Sequence, residues 1–144
     1  MNDPIDLDRQ ALALHLQPTT EREIENAIRD AFLAAGWHPV KTDAGQITRG
    51  QKPGGRARGH IRRGFPDMTF LLGLPGTGLC VAALVEVKTA TGKLRPEQVQ
   101  MHAELRAHYG IEPHVLRSPQ EARALIQTGQ HLQAALQLVR EAQS

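Results

Sequence analysis

The sequence predicts an α/β protein with a small mixed β-sheet flanked by helices. Two observations indicate this class. Short apolar runs typical of buried strands alternate with segments whose apolar residues recur at helical spacing, and the order is helix, three strands, helix, strand, helices. At 144 residues, with 40% apolar and 22% charged residues, the chain is expected to fold as one domain around its own core.

The first helix is predicted to begin after Thr20 and to end at Gly36. Thr20 and Glu23 form a capping box, in which each side chain satisfies a backbone N–H group of the other residue. The apolar residues at helical spacing are Ile24, Ala27, Ile28, Ala31 and Ala35. A short strand is expected at 37–42, while residues 1–18 form an extension of ambiguous structure.

An antiparallel hairpin is predicted from two apolar runs, 68–72 and 79–87. The segment between them, 73–78, is dense in the turn-forming residues Gly and Pro. Both runs are apolar enough to be buried on both faces. Cys80, the one cysteine of the chain, is expected to be a small buried hydrophobe. A lone cysteine and the lack of an apolar run long enough to cross a bilayer favour a reducing, intracellular compartment. The expected location is the cytoplasm, of a bacterial or phage type.

The second half of the chain is predicted to hold a helix, a strand and two further helices. Pro96 suits the first turn of a helix that ends at Gly110, and a strand follows at 113–116. Ser118 opens the next helix, which is expected to end near Gly129. The predicted organisation is an N-terminal extension at 1–18, a domain at 19–128 with a flexible basic loop at 43–63, and a C-terminal helix at 129–144.

Positive charge is concentrated in one segment, 41–63. It carries seven Lys or Arg residues against one Asp, a net charge of +6, whereas the chain as a whole carries +2. Five glycines in the same segment predict a mobile loop. Such a loop is either a solvated linker or an arm for a polyanion, because Lys and Arg contacts to phosphates release counterions.

Three charged residues lie where chemistry is possible: Asp67, Glu86 and Lys88. Side chains alternate along a strand, so Glu86 and Lys88 share one face while Val87 points to the opposite layer. If Asp67 begins the neighbouring antiparallel strand, its carboxylate can lie beside that of Glu86. Two such carboxylates repel each other unless a cation lies between them, and oxygen ligands alone favour Mg²⁺ or Mn²⁺. The pattern predicts metal-assisted phosphodiester hydrolysis, with Lys88 placing the attacking water.

Several motifs together resemble the VRR-NUC domain of the PD-(D/E)XK nuclease superfamily, across residues 21–122. The motifs are Gly64-Phe65-Pro66-Asp67, Glu86-Val87-Lys88, Thr91-Gly92-Lys93-Leu94 and Pro96-Glu97-Gln98. The resemblance implies a restriction endonuclease-like core.

It also implies roles for individual residues. Asp67 and Glu86 would ligate the metal with the Val87 carbonyl, Lys88 would be the catalytic lysine, and Gln98 would lie near the site.

The family also has a glutamate on its first helix, for which Glu21 is the best match. Glu25 is a possible substitute, and Glu23 is the third acid near that helix start. Arg95 stands where a capping hydroxyl is usual, so the helix at Pro96 is expected to begin loosely or to direct Arg95 towards phosphate. His102 and His108 lie six residues apart on one helix, hence on different faces, and are not expected to ligate a metal together.

The resemblance implies a metal-dependent DNA endonuclease acting on branched DNA, a Holliday junction or a flap, as a homodimer with Mg²⁺ or Mn²⁺. The predicted DNA-binding residues are Arg49, Lys52, Arg56, Arg58, Arg62, Arg63, Lys93 and Arg95. Three alternatives are a catalytically inactive nucleic-acid-binding module, a metal-independent interaction protein and a sequence-specific restriction-type nuclease.

Overall fold

Seven elements of secondary structure lie in the described part of the protein, a computed structural model covering residues 17–43 and 61–144. They are α1 (Glu21–Ala34), β1 (His38–Lys41), β2 (Met68–Leu74), β3 (Leu79–Val87), α2 (Pro96–Tyr109), β4 (His114–Leu116) and α3 (Pro119–Gln143). Residues 1–16 of the predicted extension and 44–60 of the basic loop lie outside the described residues. None of the described helices is both long enough and apolar enough to cross a membrane.

The predicted mixed sheet is confirmed, with strand order β1-β2-β3-β4. The pairs β1–β2 and β2–β3 are antiparallel, whereas β4 runs parallel to β3. Within the β2–β3 hairpin, Met68 pairs with Val85 and Leu74 with Leu79. Continued by one residue beyond the Met68–Val85 pair, this register places Asp67 opposite Glu86, at the end of the hairpin away from its turn.

Helices cover both faces of the sheet. On one face α1 and α3 pack on β2, β3 and β4, and the Phe32 and Phe70 rings stack with their centroids 3.9 Å apart. Val87 points into this apolar layer and is fully buried. On the opposite face Met101 and Leu105 of α2 pack against Leu84. The alternation along β3 thus turns Val87 to one layer and directs its neighbours Glu86 and Lys88 to the other.

Burial of the hairpin differs from the prediction. Residues of β3 from Ala83 onwards are buried, but Leu79 is 68% exposed and Cys80 is exposed as well. The expectation of a buried cysteine was wrong because α2 reaches only as far as Leu84 on that face. Cys80 lies beyond it, nearer the turn.

The predicted helix boundary at Gly129 is also wrong, since α3 runs unbroken from Pro119 to Gln143. Gly129 is buried, and a Cβ atom there would overlap the indole of Trp37 and crowd Leu72. The glycine permits close packing of the helix on Trp37 and the sheet.

The other predicted caps are present. The Thr20 hydroxyl accepts a hydrogen bond from the Glu23 N–H, and Ser118 accepts one from the Glu121 N–H. Gly110, in the left-handed conformation, ends α2 as expected.

Candidate active site

The turn that carries Asp67 is held from two sides. From the end of β1, the Thr42 hydroxyl donates to the Pro66 carbonyl at 2.7 Å and the Thr42 N–H donates to the Asp67 carbonyl at 2.9 Å. On the other side Gly64, with φ +88°, lies so close to the start of α2 that a Cβ atom would overlap the Glu97 carbonyl. The glycine of this motif is therefore required by both its backbone angle and the approach of α2.

The structure brings the Asp67 and Glu86 side chains together. Asp67 Oδ2 accepts a hydrogen bond from the Val87 N–H at 2.9 Å, which places its carboxylate at the end of β3. Glu86 is fully buried. The pKa of Glu86 is raised to about 9, first by burial and then by a hydrogen bond with Asp67 and the negative charge of Asp67. Two carboxyl groups in this arrangement resist being ionised together.

Glu86 is contacted by α2 through both of its oxygens. Gln98 Nε2 donates to Oε1 at 2.9 Å, and His102 Nε2 lies 3.2 Å from Oε2. Gln98 has a second role, because its Oε1 accepts the Arg95 N–H at 2.8 Å and so completes the start of α2. The helix therefore does not depend on a capping hydroxyl at Arg95.

Lys88 lies on the same side of β3 as Glu86 and is 7% exposed. Its positive charge lowers the pKa of Glu86, against the larger effect of burial. The turn that follows is fixed by Arg117, whose Nη1 donates to the carbonyls of Thr89 and Gly92 at 2.6 and 2.7 Å. This clamp positions the backbone between Lys88 and the exposed Lys93.

The three acids near the start of α1 have different surroundings. The carboxylate of Glu23 accepts the Thr19 N–H at 3.2 Å and belongs to the helix cap. Glu25 pairs with Lys41 at 2.9 Å and with Arg29 at 3.2 Å. Glu21 and Glu25 line a cavity of about 580 Å³ together with Asp67. Of the three acids, Glu21 and Glu25 therefore lie at the cavity that Asp67 lines, and Glu23 lies at the helix cap.

The side chains at the site fit a hard divalent cation. Within the two described ranges, no group of three or more His, Cys, Asp or Glu side chains is arranged to hold a metal ion. The side chains that could hold a cation here are the pair Asp67 and Glu86. A cation between two adjacent carboxylates would offset their repulsion, and an all-oxygen set suits Mg²⁺ or Mn²⁺ better than Zn²⁺.

The predicted DNA-binding arginines are described only in part. Arg62 pairs with Glu104 at 2.6 Å, while Arg63 and Arg95 approach Glu97 at 3.7 and 3.4 Å. All three arginines lie around the start and outer surface of α2. The remaining candidates of the loop, Arg49, Lys52, Arg56 and Arg58, lie outside the described residues.

One residue of the site was missed by the sequence prediction. His102 is 1% exposed and contacts Glu86 directly; burial, followed by the charge of Arg106, lowers the pKa of this imidazole. The signal was its spacing from Gln98, since residues four apart share one face of a helix. The sequence prediction considered His102 only as a possible metal ligand together with His108, and so did not relate it to Gln98.

The arrangement is that of an α/β domain with paired carboxylates and a lysine at one end of a mixed sheet. A comparison with solved structures finds the same fold in a chain described as "VRR_NUC domain", with a TM-score of 0.52 and 24% sequence identity. The match covers 76% of this chain and 97% of that chain. No family model and no curated protein matches the sequence. The chain therefore has the VRR-NUC fold, which confirms the fold that the sequence motifs imply.

Proposed function

We propose that the protein is a metal-dependent DNA endonuclease that hydrolyses phosphodiester bonds with Mg²⁺ or Mn²⁺. The observation that carries this proposal is the meeting of the Asp67 and Glu86 carboxylates beside Lys88, at one end of a VRR-NUC fold. Paired acids and a lysine on adjoining strands are suited to phosphate chemistry. A structural ion pair alone would need only one of the two acids.

Asp67 and Glu86 would hold the metal ion, with the Val87 carbonyl as a further ligand and an acid of α1 at its open side. When bound, the ion supplies polarisation of a phosphoryl oxygen and activation of a water molecule. The protein's part is to keep both carboxyl groups oriented towards the ion. The Val87 N–H supports Asp67, and the donors of α2 support Glu86.

Lys88 would orient the attacking water and offset the negative charge that develops on the phosphate. It lies on the same face of β3 as Glu86, with its ammonium group close enough to affect the pKa of that residue. Its low exposure strengthens any such interaction, since charges act more strongly where water is excluded. Lys88 is therefore assigned to catalysis and not to metal binding.

The positive charge of the segment at 41–63 supports the proposal that the substrate is a polyanion. Its net charge of +6 would supply affinity for DNA independent of sequence. Branched DNA, a Holliday junction or a flap, is the proposed substrate. A symmetric cut across a junction requires two active sites, so a homodimer is the proposed assembly.

Cleavage and metal binding are tested separately with Asp67→Asn and Lys88→Met. The wild-type protein should cut four-way junction or flap DNA only with Mg²⁺ or Mn²⁺. Both variants should lose cleavage, Lys88→Met by about 100-fold or more. Calorimetric titration with Mn²⁺ should show lost binding for Asp67→Asn and normal binding for Lys88→Met. Asp30→Asn, an exposed acid of α1, is the control and should behave as wild type.

Three outcomes would contradict the proposal. Cleavage by Asp67→Asn at the wild-type rate would show that Asp67 is not part of the active site. DNA binding by the wild type without cleavage in either metal would favour an inactive binding module. Cutting governed by base sequence, and indifferent to branching, would favour a restriction-type nuclease.

A further inference from the structure

The imidazole of His102 is buried directly behind Glu86. It is 1% exposed, and its Nε2 lies 3.2 Å from Glu86 Oε2. Its other nitrogen, Nδ1, is buried without a hydrogen-bond partner among the described residues. The ring therefore has one polar contact, and that contact is a carboxylate assigned to metal binding.

The contacts of the ring determine its tautomer. A buried N–H group without an acceptor is destabilising, whereas a buried acceptor without a donor is more often tolerated. The hydrogen therefore belongs on Nε2, which faces an acceptor, and the bare lone pair belongs on Nδ1. In this form His102 donates to Glu86.

Two donors of α2 thus hold the two oxygens of one carboxylate. Gln98 and His102 lie one helical turn apart, and each contacts a different oxygen of Glu86. Gln98 is itself fixed by the Arg95 N–H. A carboxylate held at both oxygens keeps one orientation, while its remaining lone pairs are available to a cation beside Asp67.

An exclusively structural role does not account for a histidine at this position. Met101 and Leu105 already supply the apolar contacts between α2 and the sheet. An apolar residue at position 102 would fill similar space without leaving a buried nitrogen unpaired. The benefit that offsets this unpaired nitrogen is the hydrogen bond to Glu86.

We propose that His102 is a positioning residue, a neutral imidazole that donates from Nε2 to Glu86 and fixes this carboxylate for binding a divalent cation. This inference rests on the proposed function, in which Glu86 is a metal ligand. Outer groups that orient metal ligands typically contribute 10- to 100-fold to metal affinity or activity.

The test compares His102→Leu with His102→Gln, because the glutamine Nε2 reaches nearly as far as the imidazole Nε2. Calorimetric titration with Mn²⁺ should show about 10-fold weaker binding for His102→Leu and largely restored binding for His102→Gln. His108→Leu, an exposed position on the same helix, should bind Mn²⁺ as the wild type does. For cleavage at limiting Mn²⁺, kcat should fall in His102→Leu while KM for DNA is unchanged.

A readout without metal comes from the ¹⁵N shifts of the imidazole in the metal-free wild type, which should show the Nε2–H tautomer. An Nδ1–H tautomer, or wild-type Mn²⁺ affinity in His102→Leu, would overturn the inference alone. If His102→Leu does not fold, unrestored affinity in a folded His102→Gln would likewise overturn it. Failure of the wild type itself to bind Mn²⁺ would instead overturn the proposed function, and this role for His102 with it.

Discussion

Two helices flank the carboxylate pair, and they support it in different ways. Helix α2 presents neutral donors: Gln98 is 2% and His102 1% exposed, and both contact Glu86. Helix α1 presents acids at the open side, where Glu21 is exposed and Glu25 is paired with Lys41 and Arg29. One side of the site is buried and hydrogen-bonded, whereas the other is solvated and ionic.

The difference shows which part of the site is formed before any ligand arrives. The contacts of α2 need no rearrangement to hold Glu86 in place. Glu25 can join a cation only by leaving Lys41 and Arg29, whereas Glu21 already lies exposed at the same cavity. Partly exposed ion pairs contribute little to stability, so such an exchange costs little. The α2 side thus provides the fixed geometry, and the α1 side is the one whose ion pairs can exchange.

The largest expected effect on stability is that of Glu86→Gln on the α2 side. The pKa of Glu86 is raised from 4.5 to about 9, so the folded protein keeps a proton that the unfolded chain releases. The stability contributed by this proton is fully present below pH 4.5 and is lost as the pH rises through about 9. The slope between these values reaches up to about 1.4 kcal/mol per pH unit.

Urea unfolding in EDTA, at several pH values across this window, measures that slope. The free energy of unfolding of the wild type should fall as the pH rises, while Glu86→Gln should lack this decline and be the more stable protein at alkaline pH. Asp30→Asn should keep the wild-type slope. Equal slopes for Glu86→Gln and wild type would show that Glu86 ionises normally in the fold. The stabilised variant should nevertheless lose Mn²⁺ binding.

The second effect tests how tightly the turn before Asp67 is held against α2. Gly64 and Gly36 both have φ +88°, but a Cβ atom would overlap backbone only at Gly64. Gly36→Ala should therefore cost about 1–2 kcal/mol from its backbone angle alone. Gly64→Ala should cost about 3 kcal/mol or more, because the start of α2 must also move. Equal losses in chemical denaturation would show that the approach of α2 is loose.

The sequence predicted best those features that depend on neighbouring residues. The start of α1 was located because its cap lies within one turn. The Thr20 hydroxyl accepts the Glu23 N–H, and the Glu23 carboxylate accepts the Thr19 N–H. The hairpin was located because two apolar runs flank a Gly and Pro turn, and its register brings Asp67 to Glu86. These signals are local, so they can be read without knowing the rest of the fold.

The errors concern residues whose role depends on distant parts of the chain. Gly129 was expected to end a helix, but it serves the packing of Trp37, which lies far away in the sequence. Cys80 was expected to be buried, yet its exposure depends on where α2 stops covering the sheet. His102 acquires its role from a carboxylate on β3. No periodicity within one element contains such information.

A smaller effect on stability separates the two acids of α1. Glu25→Gln should lower the free energy of unfolding by about 0.5–1 kcal/mol, because Lys41 and Arg29 lose their partner. Glu21→Gln should change stability less. In Mn²⁺ titration and cleavage the order should reverse, with Glu21→Gln the more impaired variant. Greater impairment of Glu25→Gln would identify Glu25 as the acid that changes partners.

The smallest effects are expected on the outer surface of α2, where the arginines differ in their partners. Arg62 is held by Glu104 at 2.6 Å, whereas Arg63 is 3.7 Å from Glu97 and its side chain is 87% exposed. An arginine that must leave an ion pair to reach a phosphate contributes less net free energy to DNA binding. Arg63→Ser should therefore weaken DNA binding more than Arg62→Ser.

Fluorescence anisotropy with duplex DNA at several salt concentrations measures this difference. The slope of log K against log salt should shrink by about 0.9 for Arg63→Ser, the value for one lost phosphate contact, and by less for Arg62→Ser. Glu104→Gln should strengthen binding by about two- to threefold, since it releases Arg62 and removes a negative charge. If Glu104→Gln instead left affinity unchanged and Arg62→Ser matched Arg63→Ser, the ion pair with Glu104 would have no bearing on DNA. The outer surface of α2 would then resemble the α1 side, whose ion pairs exchange freely, and only its inner face would be fixed.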